Sequence, residues 1–369
     1  MAIVKPRQFD TYFFGIVLLI TLIGIFSFAS ASLGILAQSQ TKFYGVLFSQ
    51  VALGFVGGLI ALWVAIKIPY HFWRNHAFFI FLATLALTMA VFIPHLGFSH
   101  GGATRWINLG FVSFQPAELL KLGFVMYFAA WLAWTQKKDE EFKYKLLPFA
   151  IMLGLVAVAL LLQPDTKSFI LITTAACSML FVSGVSWKKI IAIVVVGIVG
   201  IAILALFRPY LMDRIKTYIS PSSNAEGSSY QLQQGLIAIG SGGIFGRGLG
   251  QSVQKFNYLP EPQGDSIYAV IGEEFGFIGS ALLVVLYVFL AIRGYKIALQ
   301  SRDIFGQYMV IGIVTILVSQ SFLNMASLVG VFPLTGVPLV FISQGGTSLF
   351  IALFASGIVL NVSRYQKKV

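Results

Sequence analysis

The sequence predicts an all-α, polytopic membrane protein: a bundle of about ten transmembrane helices with both termini in the cytoplasm. Three observations predict it. Of 369 residues, 58% are apolar and only 10% charged, with a mean hydropathy of +0.87, whereas a soluble domain carries about a quarter charged residues. The apolar residues gather into ten runs of roughly the 20 residues that a helix needs to cross the hydrocarbon core. Lys and Arg fall mainly in alternate connections, the bias that sets membrane topology.

The first run, 11–32, follows Lys5 and Arg7 and closes on Ala29-Ser30-Ala31, which looks like a signal-peptide cleavage site. Its apolar stretch is longer than the usual core of a signal peptide, and losing it would spoil an even count of spans, so it reads as a retained helix. Runs at 45–67, 77–94 and 117–135 follow. The next two, 145–163 and 168–184, sit close together, and the second is short. Runs at 189–207, 266–292, 305–325 and 345–363 complete the ten. An even number places both termini on one side. Sixteen of the 25 Lys and Arg lie in connections on that side, from Lys5 and Arg7 through Lys137–Lys145 and Lys188-Lys189 to Arg364, Lys367 and Lys368. The short loops of the other face hold only Lys42, Arg105 and Lys167. The lysine-rich side is therefore the cytoplasmic one.

The chain, 1–369, reads as a single membrane domain. Its cytoplasmic connections are short, while 95–116, 208–265 and 326–344 face outward, the largest lying between spans seven and eight. Long loops held by a rigid scaffold are where chemistry is expected. Several classes drop out. The net charge of +12 comes without a basic block interleaved with aromatics, so no nucleic-acid partner is expected. Cys177 is alone, so no intramolecular disulfide forms, and the four His (71, 76, 95, 100) build no zinc pattern with it. The glycine-rich stretch Gly240–Gly250 lacks the Gly-x-x-x-x-Gly-Lys-Ser/Thr of a phosphate loop and reads as tight or re-entrant backbone. Gly54-x-x-x-Gly58 and Gly272-x-x-x-Gly276 suit close helix packing.

Ionisable groups at the membrane rim carry the chemistry that remains. Asp265 opens span eight after Leu259-Pro260-Glu261-Pro262-Gln263-Gly264. Two readings stand side by side: a helix N-cap accepting backbone N–H groups, or a surface carboxylate acting as general base or metal ligand. Glu273 and Glu274 follow about 12 Å deeper on the same helix and cannot both share its Asp265 face. Before span four, Arg105 and Trp106 combine a cation with an interfacial indole, and Arg105 suits an anionic headgroup such as a pyrophosphate. In Gln115-Pro116-Ala117-Glu118-Leu119-Leu120-Lys121, Pro116 and Glu118 suit a first helical turn, and Glu118 can pair with Lys121. Arg247 and Lys255, in and beyond the glycine-rich stretch, are available to phosphates.

These segments, in this order, resemble the SEDS family of bacterial cell-wall proteins (shape, elongation, division, sporulation). The resemblance runs over essentially the whole chain. It is carried by Arg105-Trp106-Ile107, Gln115-Pro116-Ala117-Glu118, Gln163-Pro164-Asp165, Tyr230-Gln231-x-x-Gln234, the glycine-rich stretch and Pro260-Glu261-Pro262-x-x-Asp265. It closes with Pro333-Leu334-x-Gly336-Val337-Pro338-Leu339 and Phe341-Ile342-Ser343-x-Gly345-Gly346. Asp303-x-x-Gly306 and Leu360-Asn361-x-Ser363-Arg364 look more like the cell-division branch than the elongation branch. Three places depart from the family pattern: Thr166-Lys167-Ser168 after Asp165, Gln344 in the last motif, and Gln263-Gly264 before Asp265.

The resemblance implies a multi-pass protein of the bacterial cytoplasmic membrane. It implies a peptidoglycan glycosyltransferase that polymerises lipid II at the outer face and releases undecaprenyl pyrophosphate. Asp265 falls on the family's essential carboxylate, and a carboxylate can take the proton of a sugar hydroxyl as it attacks an anomeric carbon. Arg105, Lys121, Arg247 and Lys255, or a divalent cation such as Mg²⁺ or Mn²⁺, would stabilise the charge on the pyrophosphate. Trp106, Gln115, Glu118, Glu261 and Ser343 complete the expected substrate-binding set. Expected partners are a class B penicillin-binding protein for cross-linking, other cell-division proteins and membrane lipid. The alternatives are a lipid II flippase, which should concentrate polar groups at mid-membrane, and a non-catalytic division scaffold.

Overall fold

The computed structural model describes residues 8–100, 103–108, 113–136, 138, 141–220 and 227–366. Gly101-Gly102, Leu109-Gly110, Glu226 and the basic residues Lys5, Arg7, Lys137, Lys367 and Lys368 lie outside the described residues. The first helix, α1 (Thr11–Ala31), is capped by Asp10, whose carboxylate accepts from Phe13 N and pairs with Arg293 at 2.6 Å. It runs on into α2 (Leu33–Gln38). The second crossing is α3 (Gln40–Phe48), a π-wound stretch (Ser49–Gly57) and α4 (Gly58–Lys67). Then come α5 (Tyr70–Met89), α6 (Pro116–Thr135), α7 (Leu147–Leu162) after one π-turn, α8 (Thr166–Val182) and α9 (Trp187–Phe207). Two short helices, α10 (Pro209–Ile219) and α11 (Ser228–Ser241), precede α12 (Ile267–Leu299), α13 (Ile304–Leu328) and α14 (Gly346–Ser363).

Nine helical segments among the described residues are long and apolar enough to cross a membrane. The tenth apolar helix, α8, has 17 residues, at the short end of what spans. That is the predicted set, with the sixth short as its sequence implies. Boundaries differ where polar residues continue a helix into the interface. α5 starts at Tyr70 because His71, Arg74 and His76 can snorkel from its first turns, and α12 runs past Arg293 and Lys296 for the same reason. Where described, the connections 95–116 and 208–265 are also more ordered than loops. Residues 97–114 hold three antiparallel strands, β1 (Gly97–His100), β2 (Ala103–Asn108) and β3 (Ser113–Phe114), with Phe98 opposite Trp106 and Ile107 opposite Phe114. The stretch 208–265 contains α10 and α11.

The core sits on α13 and α14, of whose apolar windows 72% and 78% are buried. α12 packs on α13, α14 on α4, and α5 on α6. By contrast α9 is only 6% buried. α12 itself is broken: Gly276 has φ 67° and ψ −164°. The backbone groups freed there are met by the glycine-rich stretch. Phe277 and Ile278 N–H donate to Gly243 O (2.9 Å) and Ile244 O (3.2 Å), while Glu273 O and Glu274 O accept from Arg247 N (3.0 Å) and Gly248 N (2.9 Å). Interrupted helix is tolerated at membrane depth only when its backbone is satisfied in this way. A Cβ on Gly276 would lie 2.3 Å from Gly246 N, so the break and the strap require glycine together.

Candidate active site

Asp265 ends the turn 260–266 at the mouth of α12. It does not cap the helix: the N-cap residue is Ser266, whose side chain makes no capping bond. The half-buried Asp265 carboxylate is left facing the segment between α13 and α14. Asn324 of α13 fixes the relation between the two by donating to Asp265 O and to Val337 O, both at 2.7 Å. Gln344 N adds a bond to Gln263 O at 2.7 Å.

That facing segment is held carbonyl by carbonyl. Arg214 Nη1 donates to Thr335 O (2.8 Å), Lys167 Nζ to Gly336 O (2.6 Å), Asn324 to Val337 O, and Gln320 Nε2 to Pro338 O (3.2 Å). Ile342 N and Ser343 N close on Leu339 O (3.2 and 2.9 Å), and the Tyr287 hydroxyl donates to Val340 O. Six consecutive peptide carbonyls are thus tied to α8, α10, α12, α13 and the turn at 343. An irregular strand so fully satisfied behaves as a rigid wall. Gly336 in it has φ 62°, and the Cβ it lacks would sit 3.2 Å from both Asp265 Oδ2 and Arg214 Nη2. Carboxylate and guanidinium therefore face each other across a gap that any side chain at 336 would fill. Around them, Arg105 and Asp165 complete an alternating set of charges: burial and Arg105 lower the Arg214 pKa from the ordinary guanidinium value, while Asp265, Tyr210 and Asp165 raise it.

Arg105, from β2, donates through Nε to Gln163 O (3.0 Å) and through Nη2 to Pro164 O. Gln115 Nε2 donates to Asp165 Oδ2 at 2.9 Å, and Asp165 caps α8 through Ser168 N (3.3 Å) and Ser168 Oγ (2.8 Å). The α7–α8 turn is thereby locked to the sheet and to α6. The buried pair Glu118–Lys121 (2.8 Å) reaches the wall through Gln320, which accepts from Lys121 Nζ at 2.7 Å. Ser343 Oγ accepts from Leu339 N (2.8 Å) and shapes the turn rather than the gap. Glu261 is exposed, and its carbonyl accepts Gly264 N (2.9 Å) and Ser266 N (3.3 Å) in the turn that presents Asp265. Trp106 is half-buried on the same strand as Arg105.

Two expected site residues are not brought to Asp265. Lys255 is buried, with its ammonium on Glu274 Oε1 (2.8 Å), Ser30 Oγ (3.0 Å) and Gly250 O (2.7 Å). Arg247 Nη1 lies 3.4 Å from Glu273 Oε1, and Glu273 also accepts from Ser252 Oγ (2.6 Å), Val253 N (3.0 Å) and Gln254 N (3.3 Å). Their cationic charge is turned onto two buried carboxylates because an unpaired carboxylate at that depth would cost several kcal/mol. Conversely, Lys167, Arg214, Asn324 and Gly336 were not singled out by sequence as site residues. Lys167 carries a signal as one of three bases in the short connections of the lysine-poor side. Arg214 lies in an amphipathic stretch that helical spacing could have revealed. Among the described residues no three His, Cys, Asp or Glu gather into a metal-holding cluster. Asp265 and Asp165 share this region with Lys167, Arg214 and Arg105, so a divalent cation held there would take most of its ligands from substrate phosphates and water.

Residues 10–368 match the family described as "Cell cycle protein", that of FtsW, RodA and SpoVE. The stage V sporulation protein E of Bacillus subtilis is 37% identical over 357 residues, covering 95% of this chain and 96% of that one. A probable peptidoglycan glycosyltransferase FtsW of Geobacter sp. (strain M18) is 35% identical over 361 residues, covering 97% and 98%. Among solved structures, Thermus thermophilus RodA superposes with a TM-score of 0.71 at 26% identity, covering 98% of each chain. A chain from a peptidoglycan synthase complex that coordinates polymerization and crosslinking gives 0.79 at 25% identity, covering 97% of this chain and 99% of that one. The fold, the ordered motifs and these likenesses agree: the chain is a multi-pass membrane protein of the FtsW/RodA/SpoVE family.

Proposed function

We propose that the chain is a peptidoglycan glycosyltransferase that polymerises lipid II, working at the outer face of the bacterial cytoplasmic membrane. The observation that carries this reading is the gap at Gly336, with the Asp265 carboxylate on one side and Arg214 on the other. In the proposed step Asp265 accepts the proton of a sugar hydroxyl as that oxygen bonds to the anomeric carbon of a second lipid-linked sugar. The bond from that carbon to the pyrophosphate oxygen breaks, and the leaving pyrophosphate takes the electron pair. Arg214, with Lys167 and Arg105 beside it, holds positive charge where that negative charge builds. The lysine bias toward the opposite face supports outward placement of the gap. The curated relatives named FtsW and SpoVE support a role in division or sporulation rather than elongation. The synthase-complex neighbour supports a separate cross-linking partner of the class B penicillin-binding type.

Two alternatives are weaker. A flippase needs a polar path through mid-membrane, yet Glu273 and Glu274 are saturated by fixed donors. A pure scaffold has no use for a carboxylate and a guanidinium held apart across a gap. The test is glycan-chain growth from lipid II by the purified full-length chain with its cross-linking partner. The expected result is polymer with the native chain and none with Asp265→Asn. Normal polymer from the variant removes Asp265 from its role, and transfer of labelled lipid II across liposomes without polymer establishes the flippase instead.

A further inference from the structure

We propose that the cleft between α7 and α9 is a binding site for an anionic phospholipid of the leaflet at the lysine-rich end of the bundle. Among the residues of α9 only Ala205 is buried. Between α9 and α7 lies an apolar cavity of about 580 Å³, closed from behind by Phe169 and Thr173 of α8. Small residues ordinarily let membrane helices close on one another. Here Gly154 of α7 and Gly197 and Gly200 of α9 front the cavity, and a Cβ on any of them would meet nothing within 4 Å. The α7 lining runs from Phe149 to Leu161, about 18 Å at 1.5 Å per residue. Half of the hydrocarbon core is roughly 15 Å. One acyl chain of one leaflet fills that length.

The headgroup class follows from what stands at the start of each wall. Lys145 lies one turn before Phe149, and Lys188 and Lys189 lie one turn before Ala192 and Ile193, the first lining residues of α7 and α9. Side chains lean toward a helix's N-terminus, so all three ammonium groups reach out to headgroup level above the cleft. Lys145 Nζ gives one N–H to Ser183 O at 2.7 Å and keeps two. Lys188 is exposed. Lys189 is shared with Glu141 at 2.8 Å, which leaves the trio with net positive charge. Trp187 and Trp134 are 61% and 58% exposed at this level, the place where indoles sit in a bilayer. Basic pockets between spans on this face recognise anionic headgroups. The site has a mechanical consequence as well. α9 passes through Arg208 straight into α10, which carries Arg214, so a chain in the cleft props the helix that presents Arg214 to the gap.

The test uses the purified full-length chain with no polyprenyl lipid present, and native mass spectrometry to count retained dioleoyl phosphatidylglycerol against dioleoyl phosphatidylcholine. We expect phosphatidylglycerol to be retained about tenfold over phosphatidylcholine. The preference should fall to parity in Lys145→Gln/Lys188→Gln/Lys189→Gln. Gly154→Leu/Gly197→Leu, which fills the cleft and leaves the lysines, should lose the bound lipid while its thermal unfolding stays unchanged. Equal retention of the two lipids by the native chain overturns the proposal, as does a preference that survives in the lysine variant. Undiminished binding in the filled variant also overturns it, since the cleft would then not be the seat.

Discussion

Two polar regions, one at the mouth of α12 and one within it, use the same residue types in opposite ways. At the mouth of α12, the Asp265 carboxylate stands across a gap from Arg214, and the surrounding hydrogen bonds go to backbone that frames the gap rather than to the carboxylate. Two turns deeper, Glu273 and Glu274 are buried at 0% and 1% exposure, with Lys255, Ser30, Ser252, Arg247 and three backbone N–H groups on them. A saturated carboxylate can neither take up a proton nor receive a ligand without losing a partner; one facing a gap can do both. Charge near the membrane is therefore not by itself a sign of chemistry. What distinguishes the regions is whether the fold leaves a group an unfilled coordination direction.

Four single substitutions, in falling order of effect, and one double variant would break or sharpen that contrast. Asp265→Asn should lower lipid II polymerisation by about 10²–10⁴-fold, the contribution of a positioned proton acceptor, with unfolding temperature unchanged. A fall in both would make Asp265 structural and erase the difference. Lys255→Met should do the reverse, destabilising the fold by about 3–5 kcal/mol in denaturation because it leaves Glu274 buried and unpaired. Lys255→Met with Glu274→Leu should recover most of that loss, since a buried pair replaced by apolar residues is often near neutral. Arg214→Gln should reduce polymerisation by about 10²-fold, through the rate constant at saturating lipid II more than through apparent affinity. An effect on affinity alone would place Arg214 in ground-state binding. Gly336→Ala, at φ 62°, should cost about 1–2 kcal/mol in stability. Its methyl would also crowd both Asp265 and Arg214, so activity should drop about tenfold further than stability explains. Full activity would show that the gap is wider in solution.

Legibility from sequence followed the range of the physics involved. Asp265 could be picked out because a carboxylate next to a predicted span boundary is anomalous, and the resemblance of its flanking Pro260-Glu261-Pro262 singled it out further. Its N-cap alternative could not be dismissed, because capping depends on a backbone angle one residue on, at Ser266. Arg247 and Lys255 pair with Glu273 and Glu274 for a reason that is just as non-local. Bases in a glycine-rich stretch look available to phosphate, and nothing local reveals that the stretch folds back against Glu273 and Glu274. Arg214 and Lys167 went unassigned because their importance lies in Thr335 O and Gly336 O, carbonyls more than a hundred residues away in the chain.

By itself the sequence determined the ten apolar helices, their short sixth member, the charge bias between alternate connections and the family. All of these rest on composition over some 20 residues and on short motifs, which lipid solvation reads without reference to the rest of the chain. Tertiary structure alone decided the break of α12 at Gly276, the pairing that silences Glu273 and Glu274, the wall of six held carbonyls and the gap at Gly336. Each of those depends on which distant donor meets which acceptor. Inside a bundle that choice is forced by the cost of leaving a polar group unsatisfied, not by local preference.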